Sequence, residues 1–329
     1  MKSENDMATE KKILKIAKGD LKENAVWFMR QAGRYLPRYQ ELKGNKRFAE
    51  MMRDRETIKR ISLLPLEYLK TDAIVVFTDI LLPYLTMGYE VDYENKLEVK
   101  KSRMDEFDYY RELSFAIADL QATHHEKTII GVVGGPFTTY SYLNEKDKGG
   151  YAETKVNIAS GDGKVLKNLT EEIIQFADIQ ARSGADVIQV FESWIGSVSE
   201  NFYDNNLKRL ESYFIEQIRN LGKPVIFFSE GSSHLYERLI KFHADVYSID
   251  WRTSLSTFGK ICGKCIVQGN LDPYLIGLDD ERLKMEVRRI MDEGLEFTGH
   301  IFNLGHGVPT WADYRKLNMI SSEVLKYGE

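Results

Sequence analysis

Short runs of β-branched and aromatic residues alternate with longer amphipathic stretches along the chain. The short runs predict strands at residues 26–29, 73–77, 129–133, 187–191, 225–228, 246–249, 265–267 and 301–303. Between them the apolar positions recur at helical spacing. Residues 165–183 set Leu166, Leu169, Ile173, Ile174 and Ala177 on one face. Further helices are predicted at 56–69, 107–125, 201–221, 233–243, 279–293 and 311–326. Gly184, Gly222 and Gly294 stand where helix C-caps belong.

Strands that alternate with helices in this number predict a single (β/α)8 TIM barrel. The competing architecture is a doubly wound sheet. Its usual signatures, a GxGxxG turn after the first strand or a GxxxxGK[ST] loop, do not occur. The residues just after each predicted strand also favour the barrel. The first strand leads into Arg30-Gln31-Ala32-Gly33-Arg34, the second into Thr78-Asp79, and the third into Gly134-Gly135-Pro136. The fourth to sixth lead into Glu192-Ser193-Trp194, Ser229-Glu230-Gly231 and Asp250-Trp251. The last two end in Gln268-Gly269-Asn270 and Leu304-Gly305-His306-Gly307. Polar, aromatic and glycine residues therefore collect at the C-terminal strand ends, where barrels build their sites.

Composition narrows the function. The chain has 329 residues, 43% hydrophobic and 29% charged, with a formal net charge of -5. An acidic chain is a poor general nucleic-acid binder, so an anionic ligand would need a local cationic site. No apolar run approaches the length of a membrane span. Residues 1–12 are polar and read as a flexible tail on a cytoplasmic protein, with the catalytic barrel at 13–329. Cys262 and Cys265 form one CxxC with no second pair and no nearby histidine, so they read as incidental thiols and not as a zinc site.

The cationic site is found in AVWFMRQAGRYLPRYQ, residues 25–40. Arg30, Arg34 and Arg38 are four apart, but Gly33 and Pro37 make a continuous helix improbable. A loop that presents guanidinium groups is the expectation.

WFMRQAGRYLP, VFTDIL, GGPFTTYSYL, VFESW, QGNLDP and FNLGHG occur in an order and at spacings that resemble the uroporphyrinogen decarboxylases. The likeness runs from Trp27 to beyond Gly307. It implies a cofactor-free, metal-free homodimeric enzyme of haem biosynthesis. Such an enzyme converts the four acetate side chains of uroporphyrinogen III to methyl groups, giving coproporphyrinogen III. The resemblance implies a substrate site of Arg30, Gln31, Ala32, Gly33, Arg34, Asp79, Tyr142, Ser193 and His306, with Asp79 and Arg30 catalytic. Arg38, Lys43, Ala25 and the segment 143–163 depart from the family pattern, and Arg38 is read as a solvated surface charge.

These residue types suit the chemistry. The substrate carries eight carboxylates, and arginine binds carboxylates bidentately while staying charged. One carboxylate under the macrocycle can accept several pyrrole N–H bonds. It can also stabilise the cationic ring that takes up the electrons as carbon dioxide leaves. Arg30 is a weak acid, with a pKa above about 12, so its part in proton delivery would run through a bound carboxylate or water. Tyr140 competes with Tyr142 for the tyrosine role. Glu192, Glu230 and Asp250 either face the ligand or brace the loops, while His124 and His125 belong to a helix end. Two rival functions stand beside this one: a zinc-dependent methyltransferase and a non-catalytic tetrapyrrole carrier.

Overall fold

A computed structural model describes residues 11–92, 98–102, 107–145, 150–161 and 163–328. In chain order the strands are β1 (Ala25–Val26), β2 (Ala73–Val75), β3 (Tyr89–Asp92), β4 (Glu98–Lys101) and β5 (Thr128–Gly134). Then come β6 (Val187–Phe191), β7 (Val225–Ser229), β8 (Val246–Ile249), β9 (Ile266–Gln268) and β10 (Gly299–Phe302). β3 and β4 form an antiparallel hairpin, and the other strands make one parallel sheet in the order β1-β10-β9-β8-β7-β6-β5-β2. This order never reverses, so there is no switch point of the kind that marks a doubly wound sheet. The architecture is the (β/α)8 barrel.

The ends of the sheet order, β1 and β2, meet through Asp72. The Val26 N–H donates to the Asp72 carboxylate at 2.8 Å, and the Asp72 N–H donates to the Val26 carbonyl at 2.9 Å. Farther along the seam, the Gln31 side-chain amide donates to the Ala73 carbonyl at 3.0 Å. β1 is shorter than the predicted 26–29 because its later donors leave the ladder. Met29 N–H goes to the Asn303 side chain at 3.0 Å.

The barrel interior is apolar, with Trp27, Ile130, Val132, Ile226, Phe228 and Ile301 among its buried side chains. A buried polar chain crosses it. Trp27 Nε1 donates to Gln268 at 2.8 Å, and Gln268 donates to Gln189 at 3.1 Å and to Ser248 at 2.9 Å. The helix Lys12–Ala17 stoppers the N-terminal end with buried Ile13 and Ile16, and Lys11 ion-pairs with Asp186 at 2.6 Å. The expected tail at 1–12 therefore lies partly outside the described residues, while Lys11 and Lys12 already belong to the barrel.

The outer layer follows the apolar pattern. Helix Lys164–Ser183 buries Leu166, Leu169, Ile173 and Ala177 and ends at Gly184 with φ 115°. Helix Arg55–Leu63 tightens to a 3-10 turn at Leu64–Glu67, where Pro65 removes a donor. The predicted helix at 201–221 contains a π turn at Tyr203–Leu207 before helix Lys208–Arg219. Gly294 is not a C-cap: it sits at the end of helix Asp280–Gly294, where any Cβ would overlap the His300 ring. Helix Pro136–Asn144, straight after β5, has no counterpart in the periodicity reading. Cys262 and Cys265 are joined in a disulfide, which corrects the reading of two free thiols. Among the described residues no helix is long and apolar enough to cross a membrane.

The seam gives the first prediction. Asp72→Ala strands the buried Val26 N–H and should lower the unfolding free energy by about 1–3 kcal/mol. Asp72→Asn keeps an acceptor and should recover most of that loss. Urea unfolding of the two variants checks it, and equal losses in both would show that Asp72 acts by charge alone.

Candidate active site

At the C-terminal strand ends lies a cavity of about 440 Å³. Its floor is the top of the barrel interior: Trp27, Met29, Val132, Phe191 and Phe228. Its walls carry the chemistry. Arg30, Gln31, Ala32, Asp79, Tyr142, Ser193 and His306 all line it, each supplied by a loop or helix at the C-terminal end of the barrel.

Arg30 stands exposed at the rim in the left-handed region, with φ 59°. Its aliphatic stem lies against Gly307, where a Cβ would overlap the Arg30 Cδ. Among the described residues no carboxylate pairs with Arg30, so its guanidinium is available to an anion. The bend expected at Gly33 is therefore made at Arg30. Gly33 is half-buried away from the cavity lining, and a Cβ there would meet only ordinary contacts at 3.4 Å. Arg34 is exposed and likewise outside the lining, because the turn closed by Leu36 N–H on Gly33 O carries the chain away from the mouth. Arg38 is a surface charge as read, held by Glu67 at 2.7 Å. Gln31 reaches the cavity, but its amide is used in the β1–β2 seam.

Asp79 is half-buried after β2, and its carboxylate accepts the Leu81 N–H at 2.8 Å. Tyr142 comes from helix Pro136–Asn144 and packs on Trp194 with ring centroids 4.4 Å apart. Burial and then the Asp79 charge push its hydroxyl pKa up, and Arg30 opposes them. The phenol therefore stays protonated, a donor beside a carboxylate and a guanidinium. Tyr140, the rival, is buried and does not line the cavity.

His306 is fixed by two close approaches. A Cβ at Gly305 would overlap the Trp251 backbone, so only glycine fits there, and one at Gly307 would displace the Arg30 side chain. Its ring stands 3.5 Å from Glu230. Burial first, then the Arg30 charge, lower its pKa from the ordinary value; Arg252 adds to them and Glu230 pulls the other way. At neutral pH it is an uncharged imidazole that can donate from one nitrogen and accept at the other.

The three undecided carboxylates are braces. Glu192 is fully buried and accepts from Phe137 N–H at 3.1 Å and from Thr138 N–H at 2.7 Å. Asp250 accepts the Gly231 N–H at 2.7 Å and the Arg252 guanidinium at 2.7 Å. Glu230 joins Arg252 at 2.9 Å and leans on His306. Trp194 and Thr138 were missed as cavity residues, although FESW and GGPFTT contained both. Within the segment 143–163, Tyr151 packs against Trp194 with centroids 5.0 Å apart, and helix Ala152–Ala159 follows; residues 146–149 and 162 lie outside the described set. Among the described residues no three His, Cys, Asp or Glu side chains gather as metal ligands.

A sequence model of the family described as Uroporphyrinogen decarboxylase (URO-D) matches residues 8–327. A protein named uroporphyrinogen decarboxylase from Staphylococcus haemolyticus is 33% identical over 315 residues, covering 90% of this chain and 92% of that one. One of the same name from Picrophilus torridus is 33% identical over 318 residues, covering 92% and 95%. A solved methyltransferase from Methanosarcina mazei superposes with a TM-score of 0.78 at 14% identity, covering 96% of this chain and 98% of that one. A B12-independent methionine synthase from Shewanella sp. W3-18-1 gives 0.54 at 12% identity, covering 82% and 86%. At such identities these structures speak for the barrel alone.

The electrostatics of the mouth can be read directly. Removing the Arg30 charge with Arg30→Gln should raise the His306 pKa, and Glu230→Gln should lower it further. A histidine NMR titration measures both, and a His306 signal that ignores the two changes would mean that the three groups do not share one field.

Proposed function

The chain belongs to the uroporphyrinogen decarboxylase family, and from that premise we propose that the cavity described above is the decarboxylation site. The reaction removes four acetate carboxyl groups from uroporphyrinogen III, giving coproporphyrinogen III and carbon dioxide in haem biosynthesis. The observation that carries the assignment is one: Arg30, Asp79, Tyr142, Ser193 and His306 share a single cavity with an apolar floor.

The roles follow from the chemistry of each step. A proton adds to the pyrrole ring carbon next to the one that bears the acetate, making the ring an iminium-like cation. The bond to the carboxylate then breaks, its electrons pass into the ring, and carbon dioxide leaves. Reprotonation at the methylene carbon and loss of the ring proton restore the pyrrole with a methyl group, so each acetate consumes one proton overall. Asp79 accepts the pyrrole N–H bonds and stabilises the cation, a contribution strengthened where apolar side chains exclude water. Arg30 grips a carboxylate with bonds worth about 1.5–3 kcal/mol each and takes part in proton delivery through that carboxylate or a water. Tyr142 donates to a substrate carboxylate or supports Asp79. Ser193 and neutral His306 donate to peripheral carboxylates. The backbone of Ala32 lines the approach. Gly33 and Arg34, expected in the site, take no part in this assignment.

No cofactor is invoked in this proposal, since the ring itself is the electron sink. The enzyme is read as a cytoplasmic homodimer whose catalytic barrel takes in Lys11 and Lys12 as well as the residues that follow. Exposed Tyr274 and Trp311, stacked 6.5 Å apart, form the kind of apolar patch that an interface covers. Sedimentation should give twice the mass of the 38.0 kDa chain, and a monomer would remove that part of the reading.

Anaerobic incubation with uroporphyrinogen III, with products separated by carboxylate count, tests the whole. Wild type should yield seven-, six-, five- and four-carboxylate products. Asp79→Asn should cut turnover by about 10²–10³-fold while tetrapyrrole binding persists. Arg30→Lys keeps the charge and loses the fork; wild-type turnover and product profile in that variant would end its special role. Binding without any product would favour the carrier, and neither binding nor product would reopen the methyltransferase.

A further inference from the structure

We propose that Glu192 and Glu211 share one proton behind the cavity wall, and that this proton makes Glu211 a positioning residue for Tyr142 and Trp194. The inference rests on the reading that this wall holds substrate. Both carboxyl groups are fully buried. Glu192, at the end of β6, takes the donors of helix Pro136–Asn144: the Phe137 and Thr138 N–H groups and the Thr138 hydroxyl at 2.5 Å. A Cβ at Gly135 would overlap the Glu192 carboxylate, so the glycine is what lets the acid sit at that helix start. Thr138 Oγ1 in turn accepts the Trp194 N–H at 3.0 Å, and Trp194 carries Tyr142 on its ring. Glu192 thus ties the β6 loop to the helix that bears the tyrosine.

Glu211 belongs to helix Lys208–Arg219, after the π turn Tyr203–Leu207, and its carboxyl group interacts with that of Glu192. Neither of its oxygens has a hydrogen-bond partner among the described residues. A buried carboxylate without donors is costly, and beside a second carboxylate more so. A proton on Glu211 removes the charge and supplies the donor that Glu192 can accept. Burial pushes both groups up, and the Glu192 charge pushes Glu211 further. The buried Tyr203 hydroxyl is the other titratable group facing the pair; Asp204 and Arg238, ion-paired at 2.8 Å, lie beyond it.

The sign is fixed by the direction of the shifts. A raised carboxyl pKa means that the stabilisation is present at lower pH and is lost as the pH rises through the raised value. At about pH 8 ordinary carboxyl groups are ionised. Wild type should then still show the infrared band of a protonated carboxylic acid, and Glu211→Gln should lack it. The glutamine keeps an N–H donor for Glu192 without a titratable proton. Its kcat/KM near neutral pH should stay within about threefold of wild type, with the alkaline fall moved up by about one pH unit or more. No band in wild type, a band that survives in Glu211→Gln, or overlaid pH profiles would overturn the proposal. If Glu211→Gln does not fold, the wild-type band must vanish with rising pH in step with a falling Tm, and failure of that coupling would overturn it too. Should Tyr142→Phe turn over normally, the substrate-wall reading fails on its own while the infrared result still decides the shared proton.

Discussion

The site depends on how the barrel closes. β1 and β2 are the two ends of the sheet order, and the exchange between Val26 and Asp72 brings them together. Arg30 follows β1 and Asp79 follows β2. Nothing local brings the guanidinium and the carboxylate to one cavity; the seam does. Gln31 shows the economy of the arrangement. It sits next to Arg30 in the chain, and its amide holds the Ala73 carbonyl of the strand that leads to Asp79. A residue that motif reading assigns to the ligand thus acts first as the rivet between the loops that carry Arg30 and Asp79.

The mouth combines a charged rim with an apolar floor. A substrate with eight carboxylates and four pyrrole N–H groups has the complementary layout: charge at the periphery and a ring at the centre. Arg30 stays in water at the rim, where a guanidinium costs little to keep charged. Asp79 is half-buried, where a carboxylate's field is screened less than at the rim. Tyr142 and His306 are held in their neutral forms by burial, so they add donors without adding charge. Arg252 is held by Asp250 and Glu230, and this cluster acts on His306 together with Arg30: the two guanidinium groups lower its pKa while the two carboxylates oppose them.

Much of this was legible in the sequence because it was local. Apolar period located the barrel strands and most helices but not the β3–β4 hairpin, and the clustering of polar residues after each strand marked the end of the barrel that bears the site. What stayed hidden was non-local. The loop was expected to bend at Gly33, yet the left-handed residue is Arg30, where Gly307 from the far end of the chain leaves room for the side chain. Arg34 looked equivalent to Arg30 by residue type, and only the turn geometry separates them. Helix Pro136–Asn144 has almost no polar face because it is buried on nearly every side, so periodicity was silent there. The Cys262–Cys265 disulfide depends on how the chain leaves its helix at Gly263, with φ 67°, which spacing alone permits but does not require.

That buried helix also explains why Glu192 is glutamate. A helix start needs acceptors for its free N–H groups, and a side chain from the helix itself usually supplies them. Here the cap position is Gly135, which has no side chain. The acceptor must come from elsewhere, and it must come from the strand whose loop forms the adjoining wall if the two walls are to stay in register. A neutral acceptor such as glutamine would serve one N–H well but would offer its amide nitrogen to the others. A carboxylate accepts at both oxygens and suits the positive end of the helix. Its burial is the remaining difficulty, and a second carboxyl group that keeps its proton resolves it without adding a charge. Capping, wall register and protonation state are then one constraint, and it is met by residues that never touch the ligand.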